Sequence, residues 1–173
     1  MNKEISRRAA AGPIAAFPIL GLSQTPSYRM RVLDTAQAEA VEALSEAIIP
    51  ATDTPGARAA RVHEYIDEAL AANTDQKDDF LSGLEWVEKK AMRDYGKPFA
   101  QLESARQTEL LTSISDDHKP AAGNETGAAF FRQLKTMVCT GYYLSAIGLK
   151  QELRYKGNAA VRDYPACTHT THG

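Results

Sequence analysis

The chain has 173 residues, which is long enough for one domain and too short for two comfortable ones. Its formal net charge is -2, its acidic and basic residues are mixed along the chain, and no basic stripe with interleaved aromatics occurs, so nucleic acid is excluded as a partner. An apolar fraction of 43% is ordinary for a globular protein and excludes a largely disordered chain.

The first 27 residues have the layout of an export signal. Lys3, Arg7 and Arg8 precede a weakly apolar run at positions 9–22, and a polar stretch follows. The run is shorter than the roughly 20 apolar residues of a membrane-spanning helix, so no transmembrane segment is expected. Arg7 and Arg8 are typical of a twin-arginine signal, although alanines replace the usual bulky residues after the pair and no clean cleavage site follows. We predict an export signal over residues 1–27 and one helical domain over residues 28–173. The alternative is an alanine-rich N-terminal helix.

Helical periodicity begins after Leu33. Asp34 and Gln37 have the spacing of a capping box, and apolar residues at positions 41, 44 and 48 form one stripe. Pro50 ends this helix, and the turn-forming residues up to position 57 predict an ordered loop. A second helix is predicted from the stripe at positions 62, 66 and 70, and it ends near Asn73.

Two further helices follow in the chain. Asp75 is the predicted N-cap of the third, and the apolar residues on or near its core stripe are Phe80, Leu84, Val87 and Met92. Glycine at position 96 and proline at position 98 are typical of a helix end. Serine at position 104 and glutamine at position 107 predict a second capping box at the start of the fourth helix.

The fifth predicted helix, roughly residues 125–147, is the most apolar. Its main stripe comprises Phe130, Leu134, Met137, Gly141 and Leu144, and a second stripe lies beside it. Such a wide apolar face indicates a helix that contacts more than one neighbour. After position 148 the pattern becomes an irregular tail. No segment alternates with a period of two, so the fold is predicted to be all-α, a compact bundle of about five helices.

The sequence offers few candidates for catalysis or cofactor binding. It contains no dinucleotide fingerprint, P-loop, nucleophile elbow or His-Glu-x-x-His motif, and we assign neither catalytic nor cofactor-binding residues. His63 and Asp67 are neighbours on one helix, with Glu64 beside them, and they could form an acid–base pair. The ordinary interpretation of this spacing is a solvated surface ion pair, and we prefer it.

The tail carries three candidate metal ligands, Cys167, His169 and His172. Three such residues close to a glycine end are a weak signal, and we predict no metal site. Cys167 could instead form a disulfide with Cys139 or with a partner chain, since an oxidising compartment favours both. Cys139 lies within an apolar helix, where a cysteine usually behaves as a small buried residue.

Tyrosines and basic residues cluster near the C-terminal end, a composition that is enriched at the centres of protein interfaces. An irregular tail of this length is unusual unless it wraps a partner. The alternative is a tail packed on its own helices. The residues that we predict at a partner interface are Phe131, Tyr142, Tyr143, Arg154, Tyr155, Asn158 and Tyr164.

Several segments together resemble one family. They are residues 33–37 (LDTAQ), 47–57 (AIIPATDTPGA), 95–99 (YGKPF), 141–143 (GYY), 145–148 (SAIG), 155–158 (YKGN) and 164–167 (YPAC). In this order they resemble the gluconate 2-dehydrogenase subunit 3 family, which commonly has glycine where this chain has Ala166.

The resemblance implies a small, non-catalytic helical subunit of a periplasmic dehydrogenase complex. The catalytic subunit of such a complex is similar to glucose-methanol-choline oxidoreductases, holds FAD, and passes electrons from a sugar or polyol to an acceptor such as a cytochrome c. The small subunit would bind, stabilise and help export this partner. Two alternatives stay open, namely a stand-alone periplasmic enzyme that uses His63 with nearby carboxylates and a metal-binding module formed by the tail.

Overall fold

The computed structural model describes residues 28–115 and 120–157. Over these residues the chain forms five α-helices and two shorter helical turns, and no strand occurs in either part, which confirms the all-α prediction. The α-helices are α1 (Thr35–Ile48), α2 (Val62–Ala72), α3 (Thr74–Tyr95), α4 (Ser104–Ile114) and α5 (Glu125–Leu144). A 3-10 turn (Phe99–Gln101) precedes α4, and a π-helix (Gly148–Glu152) follows α5.

The start of α1 is the capping box that the sequence predicts. The amide of Gln37 donates to the Asp34 carboxylate at 2.8 Å, and the Asp34 amide donates back to the Gln37 side chain at 3.0 Å. The loop after α1 is held by Glu46, whose carboxylate accepts from the amides of Ala51 (3.0 Å) and Arg58 (2.8 Å). The loop at positions 50–57 is therefore ordered, as predicted.

The caps of α3 and α4 differ in part from the predictions. Asn73, not Asp75, is the N-cap of α3, and its side chain accepts from the Gln76 amide at 3.2 Å. The predicted box at the start of α4 is wrong, because Ser104 is already the first helical residue, and the side chain of Gln107 donates instead to the Phe99 carbonyl. The end of α3 is as predicted, with Gly96 in the left-handed conformation that favours glycine (φ 71°).

Helix α5 lies at the centre and contacts all four other α-helices, which confirms the prediction from its wide apolar face. It runs antiparallel to α3: the Gln133 side chain donates to the Gln76 carbonyl, and the rings of Phe80 and Phe130 pack 5.1 Å apart. Further along, Trp86 packs against α5 where Gly127 leaves no room for a Cβ. The core buries its largest side chains from all five helices and the 3-10 turn: Tyr142, Phe80, Phe99, Leu44, Ile66, Leu70, Leu84, Leu110, Ile114 and Leu134.

The end of α5 departs from the prediction in two ways. The helix ends at Leu144, three residues earlier than the predicted Ile147, because Ser145 is extended (ψ 161°). The segment after Gly148, predicted as irregular tail, begins with the π-helix. Two predicted core residues are also exposed, Leu144 at 63% and Met92 at 51%. Among the residues that the structure describes, no helix is long and apolar enough to span a membrane.

Candidate functional site

Four large apolar side chains are exposed around the C-terminal end of α5. Leu144 is 63% exposed, Leu153 55%, Tyr155 54% and Tyr143 41%. They come from the last turn of α5 and from the π-helix with the residues just after it. We call these four residues the α5-end surface. Apolar side chains concentrated in this way on a folded domain are typical of an interaction site.

Close backbone packing positions the two halves of this surface. A Cβ at Gly148 would collide with the Tyr142 carbonyl and lie 2.8 Å from the Tyr143 Cα, so only glycine lets the π-helix approach the end of α5 this closely. The Ser145 hydroxyl bridges the two elements, since it donates to the Tyr142 carbonyl and accepts from the Gly148 amide at 3.0 Å. Leu153 is then fixed by its amide, which donates to the Gly148 carbonyl at 2.9 Å.

The loop after α1 supports the same region from behind. The Tyr142 hydroxyl donates to the Pro55 carbonyl at 2.9 Å, and the Thr54 hydroxyl donates to the Glu152 carboxylate at 2.6 Å. These bonds join the loop to α5 and to the π-helix across 87 and 98 residues of chain. The α5-end surface is therefore presented by well-supported backbone.

The edge of this surface has more positive than negative groups. Lys150, Arg154 and Lys156 are exposed in the same stretch of chain after α5, which also carries the exposed carboxylate of Glu152. Asp53 is a second nearby carboxylate. A hydrogen bond from the Thr52 hydroxyl, then backbone amides and lastly the charge of Arg154 hold the pKa of Asp53 below its usual value. Three cations and two carboxylates leave a positive excess around an apolar centre.

The predicted interface residues have different positions in the fold. Tyr143, Arg154 and Tyr155 lie on or beside the α5-end surface. Tyr142 is only 2% exposed, and its hydroxyl is used by Pro55, so it is a core residue and its assignment to an interface is corrected. Phe131 is half-buried. Two others, Asn158 and Tyr164, lie outside the described residues.

The sequence does not predict Leu144 and Leu153 as exposed interface residues. Leu144 continues the apolar stripe of α5 and was therefore expected in the core, but the helix ends there before a neighbour covers it. The only sequence signal for its exposure is the serine that follows, which can end a helix by bonding the backbone.

Asp67 does not form the predicted surface ion pair with His63. Its carboxylate is fully buried and accepts four hydrogen bonds from the segment before α1. The donors are the amides of Arg31 (2.7 Å), Val32 (2.9 Å) and Leu33 (2.8 Å) and the hydroxyl of Tyr28 (2.9 Å). Asp67 therefore clamps residues 28–33 onto α2, and we call this arrangement the Asp67 clamp.

The clamp changes the titration of both its ionisable members. Burial by itself raises the pKa of Asp67, but the hydrogen bonds from the backbone amides and from Tyr28 outweigh it and hold this pKa below its usual value of 3.8. Burial and the hydrogen bond to Asp67 raise the pKa of Tyr28. The carboxylate is thus charged and fully occupied by donors at neutral pH.

His63 lies in a separate, partly buried position. Its nearest carboxylates are those of Glu42 (4.0 Å) and Glu64 (3.9 Å), and its Nδ1 atom has no hydrogen-bond partner. Within residues 28–115 and 120–157, no group of three or more His, Cys, Asp or Glu side chains could hold a metal ion. The candidate ligands Cys167, His169 and His172 lie outside those ranges.

One cysteine of the predicted disulfide and the whole export signal also fall outside the described residues. Cys139 is half-buried with a free thiol, but Cys167 is not described, so their pairing stays a prediction. The same holds for Arg7 and Arg8 and for the whole of residues 1–27.

A groove of about 300 Å³ opens between α1, α4 and α5. Apolar side chains form part of its lining, and hydroxyls and an amine form the rest: Ala47, Ile48, Leu111 and Phe131, with Thr108, Thr112, Ser115 and Lys135. The groove is where Phe131 of the predicted interface lies, and it is separate from the four residues of the α5-end surface.

Comparison with known proteins gives one match. A family described as gluconate 2-dehydrogenase subunit 3 matches residues 35–159, from the first residue of α1 to just beyond the described part of the chain. No curated protein matches the chain, and neither does any solved structure. The matched region includes Asp67 and the whole α5-end surface, and it stops before Tyr164 and Cys167.

Proposed function

Because the chain belongs to the gluconate 2-dehydrogenase subunit 3 family, we propose that it is the small, non-catalytic subunit of a periplasmic dehydrogenase complex. Its partner is an FAD-containing catalytic subunit of the glucose-methanol-choline type, which oxidises a CH–OH group of a sugar or polyol such as gluconate. Electrons pass from the flavin to an acceptor such as a cytochrome c. The observation that carries this proposal is the family match, which spans all five α-helices.

The environment of Asp67 supports a non-catalytic role. Asp67 is the carboxylate that the sequence places beside His63, and it is sealed inside the fold with four donors on its two oxygens. A general base needs a free lone pair within reach of a substrate proton. Asp67 offers none, and its function in this chain is to hold the segment before α1.

An accessory role in export accounts for the N-terminal region. FAD is inserted as its protein folds, so a flavoprotein that works in the periplasm needs a route for folded cargo. A twin-arginine signal directs proteins to such a route. One signal on residues 1–27 of a bound subunit would serve both chains, and the Asp67 clamp ties the residues that follow this signal to the folded domain.

Co-expression with the FAD-containing large subunit tests this function. We expect the large subunit to reach the periplasm, and to reduce a dye with gluconate or a related sugar, only when this chain is present. The variant Arg7→Lys/Arg8→Lys is expected to keep both chains in the cytoplasm while they still co-purify. A large subunit that is exported and active without this chain would refute the proposal, and turnover by the purified chain alone would establish the stand-alone enzyme instead.

A further inference from the structure

We propose that the α5-end surface is the face that docks the catalytic subunit, and that it fits a partner surface of apolar side chains bordered by carboxylates. This inference rests on the proposed function and adds to it the location of the contact and the chemistry of the partner's side. It selects Tyr143, Leu144, Leu153 and Tyr155 as the centre of the contact.

The concentration of exposed apolar residues is the first observation. The exposed large apolar side chains of the described residues are Met92 and the four members of the α5-end surface, which lie within 13 positions of one another. Single exposed apolar residues such as Met92 are normal on a protein surface, whereas a cluster indicates a contact. Two of the four are tyrosines, which are enriched at the centres of interfaces.

The rigid support of the surface is the second observation. The close approach at Gly148 and the hydrogen bonds of Tyr142 and Glu152 with the loop after α1 fix both halves of the surface. A preformed surface loses little conformational entropy when it binds, so more of the apolar burial is retained as affinity. A fraying helix end would lack such bonds to a loop almost 90 positions away.

The charge at the edge specifies the partner. Lys150, Arg154 and Lys156 outnumber the carboxylates of Glu152 and Asp53, so the edge carries a positive excess. Complementary potentials across an interface speed association and exclude wrong partners. The matching face of the catalytic subunit should therefore carry Asp and Glu side chains around its apolar centre.

The same charges disfavour two other occupants. A second copy of this chain in a symmetric dimer would bring the positive edge against itself. An anionic membrane would attract the lysines but repel Glu152 and Asp53, and the whole chain carries a net charge of -2. An acidic protein surface, unlike a uniformly anionic membrane, can place its carboxylates opposite the three cations and away from Glu152 and Asp53.

Two double variants of the full chain test the inference. Leu144→Gln/Leu153→Gln keeps the side-chain size and charge but removes the apolar character of the surface. Met92→Gln, alone, is the control, because Met92 is also more than half exposed and lies elsewhere. Helices α3 and α5 are antiparallel, so Met92 lies past Trp86 on the side of the N-terminal end of α5. Trp86 contacts Gly127, which is 17 residues, or about 26 Å, along α5 from Leu144. Met92 is therefore far from the α5-end surface. The second double variant, Lys150→Gln/Lys156→Gln, tests the edge.

The probe is the FAD-containing large subunit, and its binding is followed by flavin absorbance in co-purification and by titration. We expect the leucine variant to bind at least about tenfold more weakly, as for a central interface contact, and the Met92 variant to bind like wild type. The lysine variant should associate more slowly and lose part of its salt dependence. If wild type binds and the leucine variant binds within about twofold of it, this inference fails while the proposed function stands. If wild type itself does not bind the large subunit, the proposed function fails.

Footprinting of the wild-type chain decides between occupants without any variant. Carbene labelling of Leu144 and Leu153 should be strong in the isolated full chain and should fall when the large subunit is added. Protection in the isolated monomer would show that the chain covers this surface itself, and protection that grows with its own concentration would indicate a second copy. Protection by phosphatidylglycerol vesicles but not by the large subunit would indicate a membrane. Each of these three results would overturn the inference.

Discussion

Replacing Asp67 by asparagine is expected to detach residues 28–33 from α2 and to destabilise the fold. One carboxylate oxygen accepts from Val32 and Leu33, and the other accepts from Arg31 and Tyr28. Asparagine keeps only one of these oxygens, and an NH₂ group at the Oδ2 position can accept from neither the Arg31 amide nor the Tyr28 hydroxyl. Hydrogen bonds to a charged group contribute about 1.5–3 kcal/mol each, so the loss of two predicts a decrease of roughly 3–6 kcal/mol in the free energy of unfolding.

Urea denaturation of the purified chain at pH 7 measures this loss. With an m value of about 2 kcal/mol per molar urea, the midpoint should fall by roughly 1.5–3 M. The effect should also depend on pH. The pKa of Asp67 is lower in the folded chain than its usual 3.8, so its contribution is present above that value and is lost as the pH falls through the folded pKa. The difference between wild type and Asp67→Asn should therefore shrink below about pH 4.

The neighbouring residue provides a matched control. Glu68→Gln removes the same charge one position later, where the carboxylate makes an exposed ion pair with Arg31 at 2.8 Å. Exposed pairs of this kind contribute about 0–1 kcal/mol. An Asp67→Asn effect as small as that of Glu68→Gln, or one that stays constant from pH 7 to pH 2, would refute the clamp as a source of stability.

Three further substitutions test separate parts of the fold by urea denaturation. Gly148→Ala should cost about 1–3 kcal/mol, because its Cβ would collide with the Tyr142 carbonyl, and an unchanged midpoint would contradict the close approach of the π-helix. Glu88→Gln should raise the free energy of unfolding by about 0.5–1 kcal/mol at pH 7, because burial raises the pKa of Glu88 and makes its charged form costly. This gain in stability should disappear as acid protonates the wild-type carboxyl. Asn73→Ala should cost about 1 kcal/mol as a lost N-cap, whereas Ser104→Ala should change the stability of the chain little, and equal effects would reject this assignment of caps.

Local signals in the sequence predicted most of the helices. The capping box at Asp34 and the left-handed Gly96 depend on residues within four positions of each other, so their geometry follows from the local sequence. The failed box at Ser104 shows the limit of the same reasoning. There the glutamine side chain that would have completed the box is taken by a backbone carbonyl of the preceding 3-10 turn.

The candidate sites depended on contacts that no local pattern contains. The partners of Asp67 lie 34–39 residues earlier in the chain, so its spacing from His63 was uninformative about its environment. The tyrosine-rich composition of the C-terminal segment predicts an interface position for Tyr142, but its hydroxyl bonds the Pro55 carbonyl, 87 residues earlier in the chain. Helical periodicity predicts Leu144 in the core, because the pattern indicates which face of the helix a residue occupies. The pattern does not indicate whether a neighbouring helix is long enough to cover that residue. The positions of the predicted interface residues therefore required the fold.

The Asp67 clamp also determines how a force applied at the N-terminus enters the molecule. Among the described residues, the first attachment that tension from the N-terminal side would meet includes the four bonds of residues 28–33 to a single carboxylate on α2. Tension on residues 28–33 would thus load α2 before it unwinds the start of α1. During synthesis, residues 28–33 can bind Asp67 only after about 40 further residues have left the ribosome. Binding of this segment to α2 therefore follows the synthesis of both α1 and α2.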